Sequence, residues 1–314
     1  MIRFALTKCD ILIVLVCCSD RENIPGITRG SWICKAFENE QRVQVRIFNY
    51  QETELPNTST SSKAVSKVWA NVFKKELPEC SLLITSEEYG NFVAAYMGIK
   101  HIAFDILKNL YPVSASDIRR DLSGNWSFLP DSVKVDFAIK IVITGTESTG
   151  KTTLAKKLAK HFKCSLVLEA ARDIISNSNN FKFEKLHIVA TEHAKRIDKI
   201  ILTHHPLVII DTDVHTTISY AQFLFGRHLE ISSDIYNSNK ANVYLYLTKD
   251  VQYLQDGTRL SEAERNMLDQ SHRQVLKDHD INFIELKGNW DQRFADAVEI
   301  VNKIISQNPQ TQYE

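Results

Sequence analysis

No stretch of this sequence is both apolar and long enough to cross a bilayer. The candidate, ILIVLVCC at residues 11–18, stops after eight residues, far short of the roughly 20 that a spanning helix needs. Arg3 and Lys8 precede it, as they would a secretion signal, but Asp10 interrupts the approach and no small-x-small cleavage site follows. A short apolar run between polar residues reads better as a buried parallel strand. Neither sign of charge is in excess. Lys+Arg and Asp+Glu both number 38, and no long run of either occurs. That argues against a nucleic-acid partner or a polybasic membrane contact. Cys9, Cys17, Cys18, Cys34, Cys80 and Cys164 form no C-x-x-C pair and share no zinc spacing with histidine. They read as reduced thiols of a cytoplasmic protein, not as a disulfide framework or metal site. There is no internal repeat.

What is present is alternation. In the first half, residues 1–9 read as the end of a helix. Strands are expected at 10–19, 43–50, 80–86 and 99–105, with helices at 28–39, 63–77 and 88–98. The stretch 54–62 is a loop by composition. A Gly- and Pro-containing segment, 124–133, marks a boundary, and the pattern restarts at 137–145. Strands then alternate with helices to residue 306. The expected strands are in 165–172 and at 206–214, 241–248 and 282–288; the helices are 152–162, 184–204, 262–279 and 293–306. A chain of 314 residues is comfortable for two domains. The expectation is therefore an α/β protein with two doubly wound parallel-sheet domains, residues 1–130 and 137–308.

The second half carries the clearest chemistry. GTESTGKT at 145–152 fits the phosphate-loop pattern G-x-x-x-x-G-K-S/T, between an apolar strand and a helix. Gly145 and Gly150 permit backbone angles that turn successive N–H groups toward an anion. Thr146, Glu147, Ser148, Thr149 and Thr153 complete the expected ATP-binding stretch. Lys151 would neutralise the β- and γ-phosphates, and the Thr152 hydroxyl would ligate Mg2+. PLVIIDTD at 206–213 delivers Asp211 and Asp213 at a strand end, on one side of it. One suits the metal, with Asp211 assigned to it. The other suits a substrate hydroxyl, as holder or proton acceptor. The bland alternative is a pair of solvent-facing turn carboxylates. LQDGTRLSEAER at 254–265 has the composition of a mobile lid, with Arg259 as the residue to close on the transferring phosphate and Arg265 second. LEAAR at 168–172 offers Glu169 and Arg172 as acceptor contacts, against ordinary helix-start charges. Together these parts describe ATP-dependent phosphorylation of a small hydroxylated acceptor, and leave the acceptor open.

GTESTGKTTLAKKLA, EAAR, VIIDTDVHTT and LQDGTRL, in that order, resemble the ribosylnicotinamide kinase domain of the bifunctional NadR-type enzymes. In the first half SDRENIPGITRGSW (19–32), TSEEYGNFVA (85–94) and AFDILKNLYPVSASDIRRD (103–121) resemble the nicotinamide-nucleotide adenylyltransferase domain of that family. The resemblance covers nearly the whole chain. It implies N-ribosylnicotinamide, nicotinamide mononucleotide, ATP and NAD as small-molecule partners, with Mg2+. It further implies that Ser114, Ser116 and Arg119 hold a triphosphate, and that Arg29 and Trp32 meet the nicotinamide nucleotide through an aromatic face. Oligomeric state, including a homo-oligomer, stays open.

Two departures from the family pattern stand out. The Gly-x-Phe/Tyr-x-Pro-x-His-x-Gly-His element, whose histidines stabilise charge on the transferring phosphate, is missing, and the first histidine is His101. The resemblance begins as though inside the first helix of the family domain. The expectation is an N-terminally truncated adenylyltransferase domain with activity absent or very low, or a start assigned too far downstream. Without a central strand, such a sheet would leave apolar surface and unpaired backbone groups. The second departure is Ala170, where relatives often carry an aromatic that stacks on nicotinamide. No helix-turn-helix precedes the first domain, so a DNA-binding role is not expected. A kinase of another nucleoside, and a non-catalytic sensor of NAD or ATP, are the competing readings.

Overall fold

A computed structural model of the chain describes residues 1–56, 62–177, 180–203, 205–253 and 260–307. The chain divides into two compact units, Met1–Ala115 and Ser116–Glu314. The first runs α1 (Ile2–Ala5), β1 (Leu12–Ser19), α2 (Gly26–Ala36), β2 (Val43–Tyr50), α3 (Lys63–Glu76), β3 (Leu82–Thr85), α4 (Tyr89–Met97) and β4 (Lys100–Ala103). The helix between successive strands returns the chain to the same end, so each pair is parallel. β1 pairs with β2 from Leu12↔Val43 to Ser19↔Tyr50, and β3 with β4 from Leu82↔Lys100 to Thr85↔Ala103. Among the described residues these are two separate two-stranded sheets, not one continuous sheet. With one ladder partner each, β1 and β3 stay partly exposed along most of their length.

The second unit opens with α5 (Ala115–Arg120), which straddles the division. A 3-10 turn (Trp126–Phe128), α6 (Asp131–Phe137), β5 (Ile139–Thr144), α7 (Lys151–Phe162), β6 (Ser165–Val167) and α8 (Ala171–Ile174) follow. Next come α9 (Glu184–Thr203), β7 (Leu207–Asp211), α10 (Val214–Phe225), α11 (Ser233–Asn239), β8 (Val243–Leu247), α12 (Glu262–Asp278), β9 (Ile284–Leu286) and α13 (Trp290–Gln307). The five strands form one parallel sheet in the order β6-β7-β5-β8-β9. Its middle strands, unlike β1 and β3, are buried at nearly every residue. That is why their sequences are continuous apolar runs with no alternation. Leu154 and Leu158 of α7 and Val301 of α13 pack with Ile141, Ile143, Ile209 and Leu245 in one core cluster. Leu186 and Ala190 of α9, Ile218 of α10 and Val275 of α12 form another.

The boundary lies earlier than the Gly/Pro segment suggests. Trp126 is 2 % exposed and its indole N–H donates to Ile201 O at 3.0 Å. The buried Lys134 ammonium donates to Leu202 O at 2.8 Å. Both satisfy carbonyls at the C-terminal end of α9, where a cation also meets the negative end of the helix. Residues 116–137 thus pack with the second unit. In that unit β5 sits between β7 and β8, and successive strands lie to either side of it. The C-terminal end of β5 is the switch point, where such sheets place their ligands.

Candidate active site

The loop after β5 is built around its glycines. Gly145 has φ +132°, and a Cβ there would lie 2.6 Å from Leu247 O. Gly150 has φ +86°, with the Trp290 ring where a Cβ would be. Within the loop, Thr149 Oγ1 donates to Thr146 O at 2.8 Å, and Lys151 Nζ folds back to the same carbonyl at 2.9 Å. Two buried arginines grip two further loop carbonyls. Arg265 Nε donates to Glu147 O at 3.0 Å, and Arg293 Nη1 to Thr149 O at 3.1 Å. With those carbonyls held, the loop's amide hydrogens are the groups suited to an anion. The Glu147 carboxylate is a strut. It accepts from the Tyr220 hydroxyl at 2.7 Å and from Leu260 N at 3.1 Å. Thr153 lies on α7 beside a second cavity of about 510 Å3, shared with Lys157, Trp290 and Arg293.

β7 brings its terminal carboxylate to the loop. Thr152 Oγ1 donates to Asp211 Oδ2 at 2.5 Å, and Arg172 Nη2 reaches the same hydroxyl at 2.8 Å. Arg172 Nε is 3.1 Å from Glu169 Oε2, so α7, α8 and β7 converge on one polar cluster. Asp211 is fully buried and its Oδ1 has no partner. Burial first, then the charge of Glu169, pushes its carboxyl above the usual range. Thr152, Lys151 and Arg172 only partly offset this. An orphaned carboxylate oxygen beside a threonine hydroxyl is a donor set for a hard, oxygen-seeking cation, and Mg2+ fits it.

Asp213 is reached after a strained turn. Thr212 has φ +65°, its carbonyl is 3.0 Å from His193 Nε2, and Val214 N donates to Asn239 Oδ1 at 3.1 Å. Asp213 then caps α10, accepting from Thr216 N at 3.4 Å. Its other oxygen is bound by His215 Nδ1. Burial opposes charge on His215, but the Asp213 charge and hydrogen bond outweigh it, and the imidazole titrates above its ordinary value.

Part of this cluster lines a cavity of about 380 Å3. Lys151, Glu169, Arg172, Asp213, Tyr220 and Phe181 are among its lining residues. Ala170 lines it as well and adds no aromatic ring. His272 is buried against it; burial, then the Lys151 charge, pushes its imidazole down to about 3. Its Nδ1 has no partner. Sequence reasoning missed His193, His215, Asn239, His272, Tyr220, Trp290 and Arg293. His215 falls inside the VIIDTDVHTT stretch but was given no role there; the others lie outside the quoted motifs, and only the fold gives them a place at the site. Arg265 proves to be a loop-holding residue. Arg259 lies outside the described residues, as does the rest of 254–259.

The first-half candidates are not among the residues that line this cavity. On α2, Arg29 Nη1 donates to Glu22 Oε1 at 3.0 Å and Nη2 to Cys17 O at 2.7 Å, while Trp32 is partly buried. Ser114 lies next to the end of the first unit. Ser116 and Arg119 belong to the second, 3.3 Å apart through Oγ and Nη2.

A family model described as an AAA domain matches residues 140–293, from β5 into α13. Over nearly its whole length the chain is similar to NadR. It is 24 % identical over 302 residues to the "Trifunctional NAD biosynthesis/regulator protein NadR" of Escherichia coli (strain K12), covering 92 % of this chain and 72 % of the relative. Its fold is that of a NadR structure in complex with NR, with TM-score 0.58 and 18 % identity, covering 100 % of this chain and 92 % of the other. A NadR structure with NAD and AMP-PNP gives TM-score 0.56 at 18 % identity, covering 99 % and 92 %. The resemblance drawn from the motifs therefore holds along the chain.

Proposed function

We propose that the second unit is an ATP-dependent ribosylnicotinamide kinase: ATP + N-ribosylnicotinamide → ADP + nicotinamide mononucleotide. The observation that carries this reading is that Lys151 belongs both to the phosphate loop and to a carboxylate-lined cavity. A phosphoryl group held by the loop then faces an acceptor in that cavity. Mg2+, held by Thr152 and Asp211, neutralises phosphate charge when bound. Lys151 leaves the Thr146 carbonyl for the phosphate oxygens, and Arg172 is within reach of the same group. Asp213 holds the acceptor hydroxyl and takes its proton as the oxygen attacks. The acceptor's pyridinium is a cation. Glu169 supplies an opposite charge, Tyr220 and Phe181 supply aromatic faces, and His272, kept neutral, adds no repulsion. The nicotinamide assignment leans on the similarity to NadR, a NAD biosynthesis and regulator protein. Trp290, half-exposed beside Thr153, suits the adenine ring.

Purified protein with ATP and Mg2+ is expected to form mononucleotide from the riboside, and Lys151→Ala to abolish it. A nucleoside panel ranked by kcat/KM tests the acceptor, and the absence of riboside-dependent ATP turnover in the wild type would overturn the assignment. Tight NAD binding with no turnover of any nucleoside would point to the sensor reading instead. For adenylyl transfer, the reading is that these 314 residues, without a His-x-Gly-His element, form NAD from mononucleotide at a negligible rate. Release of diphosphate from mononucleotide and ATP measures it.

A further inference from the structure

Behind Asp213 runs a line of polar side chains that the phosphoryl-transfer scheme leaves unused. His215, in the first turn of α10, is 2 % exposed. One face of its ring meets Asp213 Oδ2 through Nδ1. On the other, Nε2 is 3.2 Å from the Tyr236 hydroxyl, which is 3.3 Å from His279 Nδ1. The ring is clamped edge-on by Tyr236 at 5.3 Å and Tyr244 at 5.9 Å between centroids. A carboxylate only accepts, so His215 Nδ1 must donate. A neutral ring then accepts at Nε2 from the Tyr236 hydroxyl, and a charged one donates to it. Either order satisfies every member, and the bond to Asp213 is common to both.

The cap bond to Thr216 N is long and holds one carboxylate oxygen only. By itself that bond does not fix the rotation of the carboxylate about its last torsion. We propose that His215 is a positioning residue of the acceptor site. Its Nδ1–H pins Oδ2 of Asp213, fixing the carboxylate so that Oδ1, held only by the long cap bond from Thr216 N, keeps a lone pair for the acceptor hydroxyl. Tyr236 and His279 hold the imidazole for that task. This rests on the kinase reading of the same cavity. The pinning matters because transfer depends on the acceptor oxygen lying in line with the phosphoryl group, and a displacement of about 1 Å at such a site costs up to about a hundredfold in rate.

The test compares His215→Leu with His215→Asn, whose side-chain amide places a donor near Nδ1. Leu is expected to lower kcat roughly tenfold to a hundredfold, with KM for ATP unchanged. Asn should keep kcat within about threefold of wild type, and both should melt within a few degrees of each other. Wild-type kcat in the Leu variant overturns the proposal, and so does equal loss in both variants, which marks a structural role. Should the Leu variant not fold, two-bond nitrogen–proton correlation on the wild type serves. A protonated His215 Nδ1 whose signal changes in Asp213→Asn supports the bond, and a bare Nδ1 refutes it. That readout needs no substrate. If the riboside is not the acceptor, the kinetic comparison runs on whichever nucleoside the panel identifies, so the two failures are separable.

Discussion

At the scale of single residues, the active-site cavity is defined by groups whose charge state the fold controls. His272 shows this in a measurable way. Burial and Lys151 hold its imidazole near 3, against an ordinary value near 6.5. Its folded-state pKa is thus depressed. As pH falls below 6.5 the unfolded chain binds a proton that the folded chain refuses, so stability is present above that value and lost in acid. At pH 5 the loss from this group is about 2 kcal/mol. His272→Asn removes the titration. Melting temperature in the wild type should therefore fall more steeply between pH 7 and pH 5 than in the variant. Parallel curves would mean that His272 protonates freely in the folded protein. Residues of this kind were not legible in the sequence. Lys151, Thr152, Asp211 and Asp213 announce themselves by spacing, because phosphate and metal chemistry demands a fixed local order. A histidine 121 positions from Lys151 has no local pattern to betray it, and only packing gives it a role.

At the scale of elements, the loop after β5 is held by α12 and α13 as much as by its own turn. Arg293 of α13 is 1 % exposed and donates to Thr149 O at 3.1 Å, Thr248 O at 3.0 Å and Gly288 O at 3.0 Å, and it pairs with Asp250. Truncation leaves three carbonyls without their donor and a void among them. Arg293→Ala should therefore destabilise the unit by about 3 kcal/mol or more, read as a lower urea midpoint, and should weaken ATP binding as the loop loosens. Trp290, the first residue of the same helix, faces the second cavity and makes a different prediction. Trp290→Ala should raise KM for ATP roughly tenfold, the share of base–aromatic stacking, and leave KM for the acceptor unchanged. A shift in acceptor KM instead would place the adenine elsewhere. The strand–helix alternation was legible, because buried parallel strands and amphipathic helices write opposite periods. The pairing of strands was not. β1 has the apolar run of a central strand, yet among the described residues it has a single ladder partner.

At the scale of the whole molecule, every residue lining the acceptor cavity falls between Glu147 and His272, inside the second unit. The kinase reading therefore needs nothing from Met1–Ala115. The placing of the boundary decides whether that independence can be seen. A division at residue 137, where the apolar pattern restarts, is what sequence composition favours. It would strip Trp126 and Lys134 from the end of α9 and expose Ile201 and Leu202 carbonyls that they now satisfy. Loss of a buried tryptophan costs about 3–5 kcal/mol, and in a unit of this size each kcal/mol moves the melting temperature by about 2–4 °C. A fragment beginning at Ser116 should thus melt at least roughly 6 °C above one beginning at Ala138. It should also phosphorylate the riboside with a kcat close to that of the full chain. Equal melting temperatures would show that residues 116–137 contribute no stability to the kinase unit. A stable but inactive Ser116 fragment would show that the first unit takes part in the phosphoryl transfer.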